Sequence, residues 1–89
     1  MLTKVVELEV VAPYGLSVRF NNGQSGTHDC SGLVSEPGPL IEPLREPGYF
    51  ARVFLEFGAP TWPNGFDLDP VNLYMRLRDA GALTRVAAE

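Results

Sequence analysis

The chain has few of the residues that form disulfides, hold metals or carry out nucleophilic catalysis. Its 89 residues include one cysteine, Cys30, and one histidine, His28. A single cysteine cannot form an internal disulfide, which is typical of a reducing compartment. The two residues together are too few for a structural zinc site, and the glycines occur singly, so no phosphate-binding loop is present. The sequence therefore predicts no metal and no cofactor.

Long apolar runs and basic clusters are also missing. No stretch approaches the ~20 apolar residues of a membrane span, and residues 1–5 lack the apolar run of a signal peptide. Seven basic residues stand against eleven acidic ones, for a net charge of −4, and the basic residues are scattered. DNA binding would need a basic face. We therefore expect a cytoplasmic protein that binds neither nucleic acid nor membranes directly.

The most informative stretch of the chain is 61–70. The run Trp-Pro-Asn-Gly at 62–65 holds the only tryptophan and is typical of a chain reversal, a hairpin with a bulge at the glycine. Asp69 and Pro70 predict the start of a helix, because the carboxylate can accept from the first-turn amides and proline has no amide to leave unpaired. The apolar stripe that follows, with Gly81 as its cap, predicts a helix over 70–80.

The remaining pattern predicts one α+β domain over residues 1–83, with a frayed tail at 84–89. Its fold would be a small twisted antiparallel sheet of about five short strands, a packed Pro-rich connector and one C-terminal α-helix. The dipeptide Asn22-Gly23 marks a hairpin. Strands are expected at 4–12, 16–20, 24–29 and 52–57, and short helical turns in the connector at 31–34, 40–45 and 47–51.

The alternation of residues also assigns the faces of these strands. The third strand is polar and contains Gly26, so we place it at the edge of the sheet. The expected apolar faces are Val6, Leu8, Val10 and Ala12 in the first strand, Leu16, Val18 and Phe20 in the second, and Val53, Leu55 and Phe57 in the fourth.

Two sets of residues could carry chemistry, and the sequence argues against both. The run His-Asp-Cys-Ser at 28–31 has the side chains of a nucleophilic site, but in a strand Asp29 points away from His28 and cannot orient it. Asp67 and Asp69 could form a carboxylate pair, but Asp69 is engaged if it caps the helix. Catalytic residues are therefore not predicted. Aromatic residues at strand spacing are interpreted as core, with a ligand groove or protein-contact patch as the alternative: Trp62, Tyr49, Phe50, Phe54 and Phe66.

The order of these features resembles that of a known family. The residues that carry the resemblance are Asn22-Gly23, Asp29, Pro43-Leu44-Arg45-Glu46-Pro47, Tyr49-Phe50, Trp62-Pro63-Asn64-Gly65, Asp67-Leu68 and Leu73-Tyr74. They are similar, over about residues 4–75, to the bacterial domain-of-unknown-function family numbered 2442. The resemblance implies a twisted antiparallel sheet with a helix after the Asp-Leu motif, no established catalytic residue, and an antitoxin-like role beside a co-encoded small protein. Ser25 and His28 depart from the family's usually apolar third strand.

These observations favour a non-enzymatic protein-interaction or regulatory module. Its partner would be another copy of the chain, through the third strand or an outward Met75, or a co-encoded small protein. The alternative is a small ligand-binding domain or enzyme that uses the region 62–69. The candidate partner or ligand surface comprises Trp62, Asn64, Asp67, Tyr49 and Arg45.

The predicted helix cap can be tested by a single substitution. Leu68 and Leu73 flank Asp69 at the spacing of a hydrophobic staple, which supports the assignment of the cap. Asp69→Ala is expected to lower the free energy of unfolding by about 0.5–2 kcal/mol, because the first-turn amides lose their acceptor. An unchanged denaturant midpoint would show that Asp69 does not cap the helix.

Overall fold

The strands of the protein form two antiparallel sheets. A computed structural model describes residues 2–85. Within them a four-stranded sheet has the order β1-β2-β3-β6, and a separate hairpin pairs β4 with β5. This confirms the α+β prediction, with six strands in place of about five. The strands are β1 (Val5–Val11), β2 (Gly15–Phe20), β3 (Gln24–Asp29), β4 (Phe54–Glu56), β5 (Ala59–Thr61) and β6 (Thr84–Arg85).

The helices begin and end close to where the turn and cap chemistry places them. Asp69 Oδ1 accepts a hydrogen bond from the Val71 amide at 3.3 Å, and Pro70 is the first helical residue, as predicted. Gly81 follows the last helix with φ of +69°, the left-handed cap expected there. The connector contains the predicted short turns. The helices are α1 (Ser31–Val34), a 3₁₀ helix (Glu42–Arg45), α2 (Pro47–Phe50) and α3 (Pro70–Asp79).

A β-bulge in β1 overturns part of the predicted face. The register with β2 shifts between Val5 and Glu7, so the alternation changes phase at this point. Val5 is therefore buried, at 2% exposure, while Val6 is 45% exposed. Leu8 and Val10 face the core as predicted. An interpretation of the sequence with a strict period of two residues gives no sign of the extra residue that the bulge inserts.

The predicted strand at 52–57 is too long, because the chain turns earlier. β4 ends at Glu56, and Phe57 and Gly58 form the tip of the β4–β5 hairpin with φ of +52° and +81°. Phe57 is 90% exposed and does not share the face of Leu55 as expected. The Gly58 carbonyl accepts from the Val5 amide at 2.8 Å, which fixes the hairpin against the start of β1. A Cβ on Gly58 would lie 2.7 Å from Lys4 Cβ, so only glycine fits this contact.

The third strand is not the bare edge that its polarity suggested. β6 pairs with Gln24 and Ser25, and the segment that leads to it crosses Gly26 so closely that a Cβ there would lie 2.8 Å from the Ala82 carbonyl oxygen. β1 is the outer strand on the opposite side of the sheet. Of the tail expected to fray, 84–85 therefore form a strand, and 86–89 lie outside the described residues.

Trp62 lies at the centre of the core, with none of its surface exposed. Its indole Nε1 donates to the Phe50 carbonyl oxygen at 2.9 Å, and its ring centroid is 5.5 Å from that of Phe50 and 5.8 Å from that of Phe66. The turn after it has the predicted form, since the Gly65 amide donates to the Trp62 carbonyl at 2.9 Å. The other fully buried large side chains include Leu16, Phe20 and Leu44. Among the described residues, every helix is too short or too polar to span a lipid bilayer.

Trp62→Ala is expected to lower the free energy of unfolding by about 3–5 kcal/mol, because it removes a buried ring and leaves the Phe50 carbonyl without its donor. Denaturant titration measures the loss. Phe54→Ala is the matched control. Because Phe54 is 44% exposed, its substitution should lower the free energy of unfolding by less than about 1 kcal/mol. Native fluorescence with the emission maximum of a hydrated indole would contradict the burial of Trp62.

Candidate functional site

Three of the five predicted surface residues lie together, and they hold the turn at 62–65 against the connector. The backbone amide of Asn64 donates to the Tyr49 hydroxyl at 3.0 Å, and the side-chain Nδ2 of Asn64 donates to the Leu40 carbonyl at 3.0 Å. The Asn64 side-chain oxygen accepts from the Phe66 amide at 3.1 Å. With Trp62 fully buried beneath them, the polar atoms of this group are engaged within the fold.

The side chains of Arg45 and Asp67 take no part in the hydrogen bonds of that group. Arg45 Nε donates to the Val34 carbonyl at 2.6 Å and its Nη2 to the Glu36 carbonyl at 2.8 Å, so the guanidinium supports the C-terminal end of α1. Asp67 is exposed and borders a cleft. Because Trp62 is fully buried, the five residues do not form one surface.

The cleft lies between β3, α1 and the first turns of α3, and has a volume of about 430 Å³. Leucine side chains form its apolar lining. The charged and titratable groups around it are His28, Asp29, Glu36, Asp67, Asp69 and Arg76. The sequence indicates Asp67 and Asp69 together, but the approach of β3 and α1 depends on packing between distant segments and has no local signal.

Half of these six groups already have partners. Asp29 Oδ1 accepts from the Ser31 amide at 2.9 Å and its hydroxyl at 2.6 Å, which lowers the pKa of the Asp29 carboxyl. Asp69 caps α3, and Arg76 Nε donates to Asn72 Oδ1 at 2.9 Å. Among residues 2–85, the side chains of Asp67 and Glu36 make no hydrogen bond and no ion pair.

Neither nucleophilic nor metal chemistry gains support from this cleft. Burial raises the pKa of the Cys30 thiol to about 12, and Cys30 is fully buried, so it stays protonated and out of reach. The Asp29 carboxylate accepts its hydrogen bonds from Ser31 and does not orient His28. In the described part of the chain, no group of three or more histidine, cysteine or acidic side chains is arranged to hold a metal ion.

The tip of the β4–β5 hairpin is a second feature of functional interest. Phe57 is the most exposed of the large apolar residues within 2–85. Its φ of +52° lies in the left-handed region, which is a rare conformation for a bulky residue. The sequence signal for this turn is weak, because two-residue hairpin turns usually carry Asn, Asp or Gly where Phe57 stands.

The model of a family described as "Protein of unknown function (DUF2442)" matches residues 5–79. The chain belongs to the DUF2442 family. The resemblance inferred from the sequence is thereby confirmed, and the DUF2442 match runs from β1 to the end of α3. No curated protein and no solved structure matches the chain significantly.

The half-buried His28 beside the cleft should make stability depend on pH. Burial lowers its pKa from 6.5, the Arg76 guanidinium lowers it further, and the Asp29 carboxylate opposes the shift. Since the unfolded chain takes up the proton first, stability is full above about pH 6.5 and is lost as the pH falls through the lowered folded pKa.

His28→Gln is expected to reduce the loss of unfolding free energy between about pH 7 and pH 5, because it removes the group that titrates there. Urea titrations at a series of pH values measure this loss. Asp29 does not confound the window, since its pKa is already lowered from 3.8. Equal slopes for the wild type and the variant would contradict the assignment to His28.

Proposed function

We propose that this DUF2442 domain is a non-enzymatic protein-interaction module of the bacterial cytoplasm, regulatory in the manner of an antitoxin. The observation that carries the proposal is Phe57, a large aromatic side chain held in solvent at the tip of a hairpin. Aromatic side chains are enriched among the residues that dominate binding energy at protein interfaces. The cleft offers no nucleophile or metal cluster among the described residues, which favours binding over catalysis.

The backbone at Phe57 strengthens this argument. A non-glycine residue in a left-handed conformation costs on the order of 1–3 kcal/mol. Asparagine or glycine would form the same turn with less strain. Phe57 therefore lowers the stability of the free domain and exposes an apolar ring, and contact with a partner would compensate for both.

A second candidate function is the binding of a small ligand in the cleft. The observation that favours it is the pair of carboxylates without partners among residues 2–85, Asp67 and Glu36, which border the same 430 Å³ space. Arg76 on α3 adds a cation to the rim. The cleft lies in the lower part of the range of ligand-pocket volumes and is partly open to solvent, so we place this function second.

The substitution Phe57→Asn should change partner binding and the stability of the domain in opposite directions, so the two effects can be told apart. It should raise the free energy of unfolding by about 1 kcal/mol, because asparagine tolerates a positive φ. It should also weaken the partner contact about 30-fold, as expected for an aromatic anchor. The measurements are denaturant titration, quantitative affinity capture from the native host, and sedimentation, which reports self-association.

Met75→Ala is the matched control. Met75 is 43% exposed on α3, and its truncation should leave both captured partners and oligomeric state unchanged if the hairpin tip carries the contact. The proposal fails if Phe57→Asn captures the same partners in the same amounts and sediments like the wild type. Loss of self-association in Met75→Ala alone would instead assign the contact to α3.

A further inference from the structure

One side of β1 leaves its backbone largely unpaired. Along the other side β1 pairs with β2 from Val5 to Val11. On its outer side, within residues 2–85, β1 makes one backbone hydrogen bond, from the Val5 amide to the Gly58 carbonyl. We call residues 7–11 the β1 edge. It spans about 17 Å of extended chain, enough to pair with one strand of another molecule.

The side chains on the β1 edge alternate in character. Glu7 and Glu9 are exposed on the solvent face of the sheet, whereas Leu8 and Val10 are partly buried on the core face. Glu7 contacts Arg19 of β2 at 2.6 Å. Glu9 has no ion pair among the described residues. A strand added here would meet two carboxylates and the exposed Val11 on one face, and two apolar side chains on the other.

These carboxylates argue against a second copy of the chain as the added strand. In a two-fold antiparallel pairing, residues directly opposite each other lie on the same face, so solvent-facing residues oppose one another. A two-fold axis at Leu8 sets Glu7 opposite Glu9, and an axis at Glu7 or at Glu9 sets that residue opposite itself. Each of these registers therefore pairs like charges, which is destabilising, whereas an axis at Val10 sets Glu9 opposite Val11.

We propose that the β1 edge binds an extended segment of a different protein in which basic and apolar residues alternate. The basic side chains would lie beside Glu7 and Glu9, and the apolar ones beside Leu8 and Val10. The edge begins two residues after Val5, which is bonded to the hairpin that carries Phe57, so both features could contact one partner. The inference deepens the proposed function and rests on it, since it names the chemistry of the protein partner.

Nuclear magnetic resonance of the ¹⁵N-labelled full chain tests the inference. The probe is a capped peptide of about eight residues, alternating arginine and valine. Amide shifts should concentrate in β1 and its neighbour β2. Glu9→Arg should weaken binding at least about fivefold, because it replaces an attraction with a repulsion. Glu42→Arg is the matched control, an exposed carboxylate in the 3₁₀ helix, and should change binding less than about twofold.

Two further peptides distinguish strand addition from general attraction to an acidic protein. The same peptide with alternate backbone amides methylated should not bind, because it cannot pair with an edge. A glutamate–valine peptide should bind Glu9→Arg better than it binds the wild type. The inference is overturned if Glu9→Arg and Glu42→Arg weaken binding equally, if the methylated peptide binds as well, or if the shifts map to the cleft.

The outcome is independent of the test for the proposed function. If the peptide fails but partner capture still depends on Phe57, the domain remains an interaction module and the β1 edge is not its contact. If partner capture is indifferent to Phe57, the proposed function fails whatever the peptide does.

Discussion

The hydrogen bond from the Trp62 indole to the Phe50 carbonyl is the contact on which the arrangement of the molecule depends. It joins the end of α2 to the turn that precedes α3, in a site with no exposed surface at Trp62. A buried carbonyl or indole N–H without a partner would cost about 1–3 kcal/mol, so the two segments are held in one relative position. Asn64 and Tyr49 repeat the link at the surface. The cleft and the hairpin tip are positioned by elements that this contact joins.

Features that depend on a few neighbouring residues could be predicted from the sequence. The turn at 62–65 and the Asp69 cap follow from conformational limits of proline, glycine and aspartate, which act within one turn of chain. Features that depend on contacts between distant segments could not be predicted from the sequence. The bulge that buries Val5 and exposes Val6 is set by the pairing of β1 with β2. The strand Thr84–Arg85 forms because the chain beyond α3 returns along β3, which no local pattern records.

The candidate site was only partly predictable for the same reason. Asp67 can be selected from the sequence because it belongs to the Asp-Leu motif, but its cleft exists only where α1 packs near α3. Phe57 was assigned to the core because its spacing from Leu55 fits a strand. A positive φ at phenylalanine is an exception to the rules that relate sequence to turn type, and exceptions of this kind concentrate at functional positions. The misplacement of Phe57 is therefore informative.

The fold has two unfavourable features, the strained backbone at Phe57 and the open edge of β1, and they are connected through the bond between Val5 and Gly58. A domain of this size has on the order of 5–15 kcal/mol of stability, so the strain at Phe57 uses a noticeable fraction of it. An open strand edge carries a further risk of aggregation, which β3 avoids through its cover by β6 and Ala82. Along Glu7–Val11, β1 makes no backbone pairing on its outer side among the described residues, and its acidic side chains disfavour an identical strand. Proteins tend to keep local costs at sites that function requires. The hairpin tip and the β1 edge are joined through Val5 and Gly58, and the partner contact proposed for them would account for both costs.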